Sequence, residues 1–240
     1  MAANPLIRSS RPRSRWAAGL PAVTAEQIID RALELTAEHG LDGWTLRQLA
    51  AAIEAYPAVI YHHIGDREAV VLGVLERVVG MMPLPPGDLP WRDWFRVLVG
   101  ELRTVLRGYP GVAHRLAVYG PTVQGAVPII DRGVRLLQDA GFGKESVLAY
   151  SMILSTACQF VSVEDERRRG AMDRTRMVDV FGEYRDNADM PGLAAMGAFA
   201  YELAENPEKI AGYYASLYDY AVERTLDGVA QRLEDLTDRP

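Results

Sequence analysis

Residues 45–70, TLRQLAAAIEAYPAVIYHHIGDREAV, decide how the chain is read. Thr45 followed three residues later by Gln48 is a capping box, and it opens a short helix with Leu46, Leu49, Ala50 and Ile53 turned inward. Pro57 suits the first turn of a second short helix ending near Gly65. Asp66 suits the N-cap of a longer helix, in which Val70, Val71, Val74, Leu75 and Val78 form an inner stripe. Upstream, Thr24 and Gln27 repeat the capping box ahead of Ile28, Ile29, Ala32, Leu33 and Leu35, and Gly40 stops that helix. Two short helices behind a longer supporting one make a helix-turn-helix, whose second short helix can enter the major groove of DNA.

Outward from this core, strand signals are nearly absent. Apolar residues recur at helical spacing between Gly and Pro breakers to the end of the chain, which predicts an all-α protein of about nine or ten helices. The four prolines of MMPLPPGDLP (Met81 to Pro90) mark a connection. Beyond it, Trp91, Trp94, Phe95, Leu98, Leu102, Val105 and Leu106 mark one helix, Pro121 to Ala140 another and Lys144 to about Arg169 a third. The last runs from Glu208 to Leu236, roughly 40 Å at the standard rise. The polar stretch Gly170 to Pro191 predicts a loop with a short helix around Met177 to Tyr184. The expected organisation is a disordered basic arm over 1–22, a helix-turn-helix domain over 23–75 and a larger helical domain over 76–240.

Composition narrows the function classes. Of 240 residues, 49% are hydrophobic, enough to bury a real core, and the net charge of −6 argues against a protein that coats nucleic acid non-specifically. Basic charge is local, because residues 1–25 hold Arg8, Arg11, Arg13 and Arg15 and no acidic residue. No apolar run is expected to approach the roughly 18 residues of a membrane span, and no signal-like apolar region opens the chain, which predicts a cytoplasmic protein with no membrane partner. The one cysteine, Cys158, sits in the apolar stretch YSMILSTACQFV and reads as a buried structural thiol. His39, His62, His63 and His114 have no metal-ligand spacing, and no nucleophile elbow, phosphate loop or dinucleotide fingerprint occurs. Neither an enzyme nor a cofactor or metal is expected. The run Glu164, Asp165, Glu166 followed by Arg167 to Arg169 reads as a solvated helix end.

The segment from Thr45 to Val70, preceded by ALELTAEHGLDGW, resembles the DNA-binding domain of the tetracycline-repressor (TetR) family over about residues 24–72. The shared features are G-x-x-x-x-T-x-R-x-L-A (Gly40 to Ala50), the later I-Y-x-H and a following charged pair. The resemblance implies roles position by position. Thr45 would present its hydroxyl and N–H to a phosphate while also capping its helix. Arg47 would make a bidentate contact to guanine, against the alternative of a solvated surface arginine. Tyr56, Pro57 and Val59 would face base edges or a thymine methyl, and Tyr61, His63 and Arg67 would contact phosphates, with Ile60 and Ile64 buried. The chain departs from the family in the turn, where Glu54, Ala55 and Tyr56 replace a Gly followed by valine and a Ser or Thr cap. A left-handed Glu54 would cost roughly 1 kcal/mol and turn a carboxylate towards phosphate.

Beyond Pro90 the resemblance continues to the family's C-terminal domain in W-x-D-W, A-x-x-L-x-x-x-G-P-T, LLQDAGF and V-x-V-E-D-E. It implies a homodimer joined through a four-helix bundle, drawn from Lys144 to Arg169 and Glu208 to Leu236; the last helix is alternatively central to one subunit's core. It also implies an effector pocket. Aligning Trp91 puts Leu98 and Leu116 where the drug-binding Asn and metal-binding His of the tetracycline repressor would be, and Tyr119 where it has a small hydroxyl residue. The pocket expected is metal-free, bordered by Leu98, Leu102, Leu116, Tyr119, Met152 and Gln159, and suited to an apolar or aromatic effector. The function implied is a repressor released from a palindromic, inverted-repeat operator in double-stranded DNA by such a small molecule. The competing reading is a small-molecule sequestering protein with a degenerate reading head.

Overall fold

The computed structural model describes residues 23–169, 174–206 and 208–238. The basic arm over 1–22 lies outside the described residues. Among these residues there is no strand, and the chain divides into two compact units, Met1–Arg77 and Val78–Pro240.

The first unit is built from α1 (Ala25–His39), α2 (Leu46–Ala52), α3 (Pro57–His63) and the start of α4 (Arg67–Gly80). Local chemistry fixes each start. Thr24 and Thr45 both form complete capping boxes with Gln27 and Gln48, Pro57 occupies the first turn of α3, and Asp66 accepts from the Ala69 N–H at 3.0 Å. Ile28, Ala32, Leu35, Leu49, Ile60, Val70 and Val74 close the core. Ile64, expected to be buried, is half-buried, because it caps α3 with φ −128° instead of continuing the helix. Trp44 is enclosed, and its indole N–H donates to Thr36 Oγ1 at 2.9 Å, while the Thr36 hydroxyl donates to the Ala32 carbonyl at 2.8 Å. No buried polar atom in this trio lacks a partner, as burial requires. A Cβ on Gly73 would lie 2.3 Å from Ile29 Cδ1, so glycine is what lets α4 press against α1.

The second unit holds α5 (Trp91–Leu106), α6 (Val112–Tyr119), α7 (Val127–Leu137), α8 (Ser146–Arg169), α9 (Arg174–Phe181), α10 (Pro191–Glu205) and α11 (Lys209–Thr237), with short irregular turns between them. The sequence pattern had merged α7 and its terminal turns into one helix over Pro121 to Ala140. Gly141, at φ 110°, breaks it before α8. The short helix expected around Met177 to Tyr184 is present as α9 and the turn Gly182–Tyr184 after it, and it begins three residues earlier than expected.

α8 corrects two sequence expectations. Its residues 146–163 carry no charge, and the helical stretch Gln124–Arg168 contains an 18-residue window of mean hydropathy 1.5, long and apolar enough by composition to cross a membrane. The expectation that no such run exists was wrong. The reason lies in packing: α8 is the central helix of this unit, with α5, α6, α7 and α11 against it, so several of its faces need apolar side chains. The second correction concerns its acidic end. Glu164 and Asp165 are buried, each 3% exposed, and not solvated. Glu164 meets Arg103 at 3.0 Å, Arg107 at 3.1 Å and Arg168 at 3.2 Å, and Asp165 accepts from the Gly111 N–H at 3.1 Å. The charges are buried because partners from α5 and the start of α6 are there to receive them. On the other side of the unit, Arg96 donates to Glu223 at 2.6 Å and its guanidinium holds that carboxyl below the usual carboxylate range, joining α5 to α11. The Tyr218 hydroxyl donates to the Val99 carbonyl at 2.6 Å, joining the same pair of helices.

Candidate functional site

The reading-head candidates sit on α2, the turn after it and α3. Thr45 accepts from the Gln48 N–H at 3.2 Å, while its own N–H donates to Gln48 Oε1 at 2.9 Å, so a phosphate contact would share or displace Gln48. Arg47 is exposed in the first turn of α2, with no ion pair among the described residues. Tyr56 and Tyr61 are exposed, and His62 and His63 stand exposed at the end of α3 with their rings edge to face, 5.2 Å apart. Pro57 and Val59 are half-buried.

The turn is a Schellman motif. The Ala55 N–H donates to the Ala50 carbonyl at 2.8 Å and the Glu54 N–H to the Ala51 carbonyl at 3.1 Å. Glu54 takes φ 52°, the one non-glycine residue with positive φ among the described residues. The backbone therefore keeps the geometry that glycine usually supplies, with a side chain that disfavours it by roughly 1–2 kcal/mol.

Arg67, which the resemblance implied as a phosphate contact, also has partners within the unit. Its guanidinium donates to the Leu41 carbonyl at 2.8 Å, pairs with Asp42 at 3.2 Å and lies 5.1 Å from the centre of the Trp44 ring. These contacts hold the loop between α1 and α2 against the start of α4.

The second unit contains a cavity of about 390 Å³, within the range of drug-sized pockets. Of the expected residues, Leu102, Leu116 and Tyr119 line it, and Leu98, Met152 and Gln159 do not. Leu98 is fully buried in the core of α5. Met152 and Gln159 are exposed with Leu148 along the outward stripe of α8, whereas Tyr150, Leu154 and Cys158 form the stripe that faces the cavity. Tyr150, Ser151, Ser155 and Cys158 were missed as wall residues. Their signal was present, since 150, 151, 154, 155 and 158 repeat at helical spacing, but an uncharged helix offers several such stripes. Burial pushes the Cys158 thiol up to about 12 and raises the Tyr150 phenol as well. Tyr119 is 60% exposed at the rim, with the Arg115 guanidinium 4.0 Å from the centre of its ring.

Two family models match these two regions in order. Residues 28–74 match bacterial regulatory proteins, tetR family, and residues 82–210 match the tetracyclin repressor-like, C-terminal domain. The chain belongs to the TetR family. Among its relatives, an HTH-type transcriptional regulator of Saccharopolyspora erythraea is 29% identical over 176 residues, covering 72% of this chain and 75% of that one. The tetracycline repressor protein class A from transposon 1721 of Escherichia coli is 26% identical over 133 residues, 53% of this chain and 60% of that one. The fold is shared with the TetR family protein ActR of Streptomyces coelicolor in complex with actinorhodin, with a TM-score of 0.69 at 19% identity over 88% of this chain and 97% of that one. The match to the TetR N-terminal model spans the whole α2–turn–α3 segment, Glu54 included.

Proposed function

We propose that this TetR-family regulator is a cytoplasmic homodimeric repressor that binds an inverted-repeat operator and leaves it when a mainly apolar or aromatic small molecule enters the 390 Å³ cavity. The observation that carries the reading is the division of labour on α2 and α3. Leu49 and Ile60 close the core, while Arg47, Tyr56, Tyr61 and His63 stand exposed with polar tips that no fold requirement explains. Arg47 reads a base edge, and Tyr61 and His63 fix the head on phosphates, with Thr45 at the helix start. Tyr56, Pro57 and Val59 present the apolar contact. Arg67 acts as a positioning residue through Leu41 and Asp42.

The cavity supports an effector with an apolar body, since Leu102, Leu116, Ile129 and Leu154 line it, and the hydroxyls of Tyr119, Ser151 and Ser155 give orientation. The occupant of ActR makes a small molecule a natural expectation. Pairing of two copies is supported by the apolar side chains that α8 and α11 leave exposed, namely Val147, Leu148, Met152 and Tyr220. Two heads are what a palindromic operator needs.

Retention assays with DNA from the gene's own upstream region test the reading against random duplex across a salt series. Arg47→Ala is expected to relax discrimination at one base pair by about 1–3 kcal/mol. Equal affinity of the unaltered protein for both DNAs would instead favour the sequestering alternative, which the carboxylate of Glu54 in the turn makes specific.

A further inference from the structure

A second cavity lies in the C-terminal unit, lined from α8, α9, α10 and α11. It measures about 230 Å³, and Arg167, Met177, Met196, Phe199, Tyr213 and Tyr214 are among its walls. Cys158 on α8 lines the first cavity and Arg167 lines the second, nine residues further along the same helix, roughly 13 Å of rise. The two are separate sites.

Three features set this cavity apart from a packing gap. Its aromatic wall is ordered as a chain of rings, Phe199 to Tyr213 at 5.1 Å and Tyr213 to Tyr214 at 5.3 Å, each pair tilted. Two methionines also line it, and thioethers make favourable contacts with ring edges while adapting to shape. The third feature is charge. Arg168 is paired to Glu164, and Asp165 is bonded at Gly111. Arg167, half-buried at the cavity wall, has no carboxylate within ion-pair distance among the described residues, and its guanidinium stands 5.9 Å from the centre of the Tyr214 ring. A guanidinium beside aromatic faces and open to a cavity is a ready partner for a planar acid, because it offers a bidentate fork to a carboxylate while the rings stack on the body.

We infer that this second cavity binds a small aromatic carboxylate, one or two fused rings in size, with the carboxylate on Arg167 and the ring between the tyrosine pair and the methionines. Met196 is 44% exposed and marks the side from which the ligand enters. The occupant differs in class from that of the first cavity, whose walls carry hydroxyls and no cation.

The test uses the full-length protein, titrated calorimetrically with 2-naphthoate and with its neutral analogue 2-naphthamide. Naphthoate is expected to bind about tenfold or more tightly than the amide. Arg167→Gln should remove that preference and leave amide binding unchanged, with thermal melting as a check that the variant folds. Leu116→Trp, which fills the first cavity, should leave naphthoate binding as it was. Tyr213→Leu keeps the question answerable if Arg167→Gln does not fold, since it should weaken both probes together. Equal binding of acid and amide, loss of naphthoate binding in Leu116→Trp alone, or no binding at millimolar concentration would each overturn the assignment.

Discussion

The two units of the chain are both helical, yet they are held together by different kinds of information. In the first, short helices are bounded by side-chain-to-backbone bonds made within three residues, such as Thr24 with Gln27, Thr45 with Gln48 and Asp66 with Ala69. In the second, the deciding bonds span the sequence: Arg103 with Glu164, Arg96 with Glu223, Tyr218 with Val99. Local bonds can be read from spacing, and distant ones cannot. The second unit also buries whole carboxylates, Glu164 and Asp165, whereas among the described residues of the first the buried polar side chain is the neutral Thr36, bonded to Trp44 and Ala32. A rigid head that presents exposed polar tips, and a body whose interior holds both charge and empty volume, are what a reader of DNA and a sensor respectively require.

The comparison breaks most visibly if the body's buried charge is disturbed. Glu164→Ala leaves Arg103, whose side chain is 15% exposed, facing Arg107 without a carboxylate between them. A loss of about 3 kcal/mol or more is expected, measured by denaturant unfolding. If stability is unchanged, the cluster is better hydrated than its burial suggests. A smaller effect is expected at the turn of the head. Glu54→Gly removes a side chain from φ 52° while keeping both Schellman bonds, and should stabilise the protein by about 1 kcal/mol. A destabilisation would mean that contacts of the Glu54 side chain outweigh its backbone cost.

The smallest effect is chemical. With its thiol pushed up to about 12 by burial, Cys158 should react slowly with Ellman's reagent at pH 8 in the native protein and promptly after unfolding. The sign for stability follows: an acid whose folded value lies above its unfolded value near ~8.5 contributes stability that is full below that pH and is lost as pH rises towards 12. Tyr150 and Tyr218 are raised by burial in the same direction, so alkaline titration should unfold the body early. A cavity ligand in contact with Cys158 would slow the thiol further.

Legibility followed the same divide. The capping boxes, the proline in the first turn of α3 and the helix bounds of the head could all be read because each rests on residues three or four apart. The tie of Arg67 to Leu41 and Asp42 could not be read, because these partners lie about 25 residues upstream, beyond the reach of any spacing rule. In the body, Leu102 and Leu116 line the cavity, whereas Met152 and Gln159 lie on the exposed outward stripe of α8. The uncharged part of α8, packed on several sides, has no charged stripe to orient it, so periodicity identifies the helix without saying which stripe lines a void. The burial of Glu164 and Asp165 was hidden for a related reason: an acidic run looks solvated until the arginines of α5 are brought to it in space.

The central claim is that occupancy of the cavity in the second unit governs operator binding by the first. Release of labelled operator DNA by a panel of hydrophobic and aromatic compounds, measured at fixed salt with Mg²⁺ and with a chelator, tests it most directly when Leu116→Trp is run beside the unaltered protein. The account predicts compounds that release operator equally with and without the ion, and a Leu116→Trp variant that binds operator normally but no longer responds to them. Release that strictly requires Mg²⁺, or that survives filling of the cavity undiminished, would contradict it.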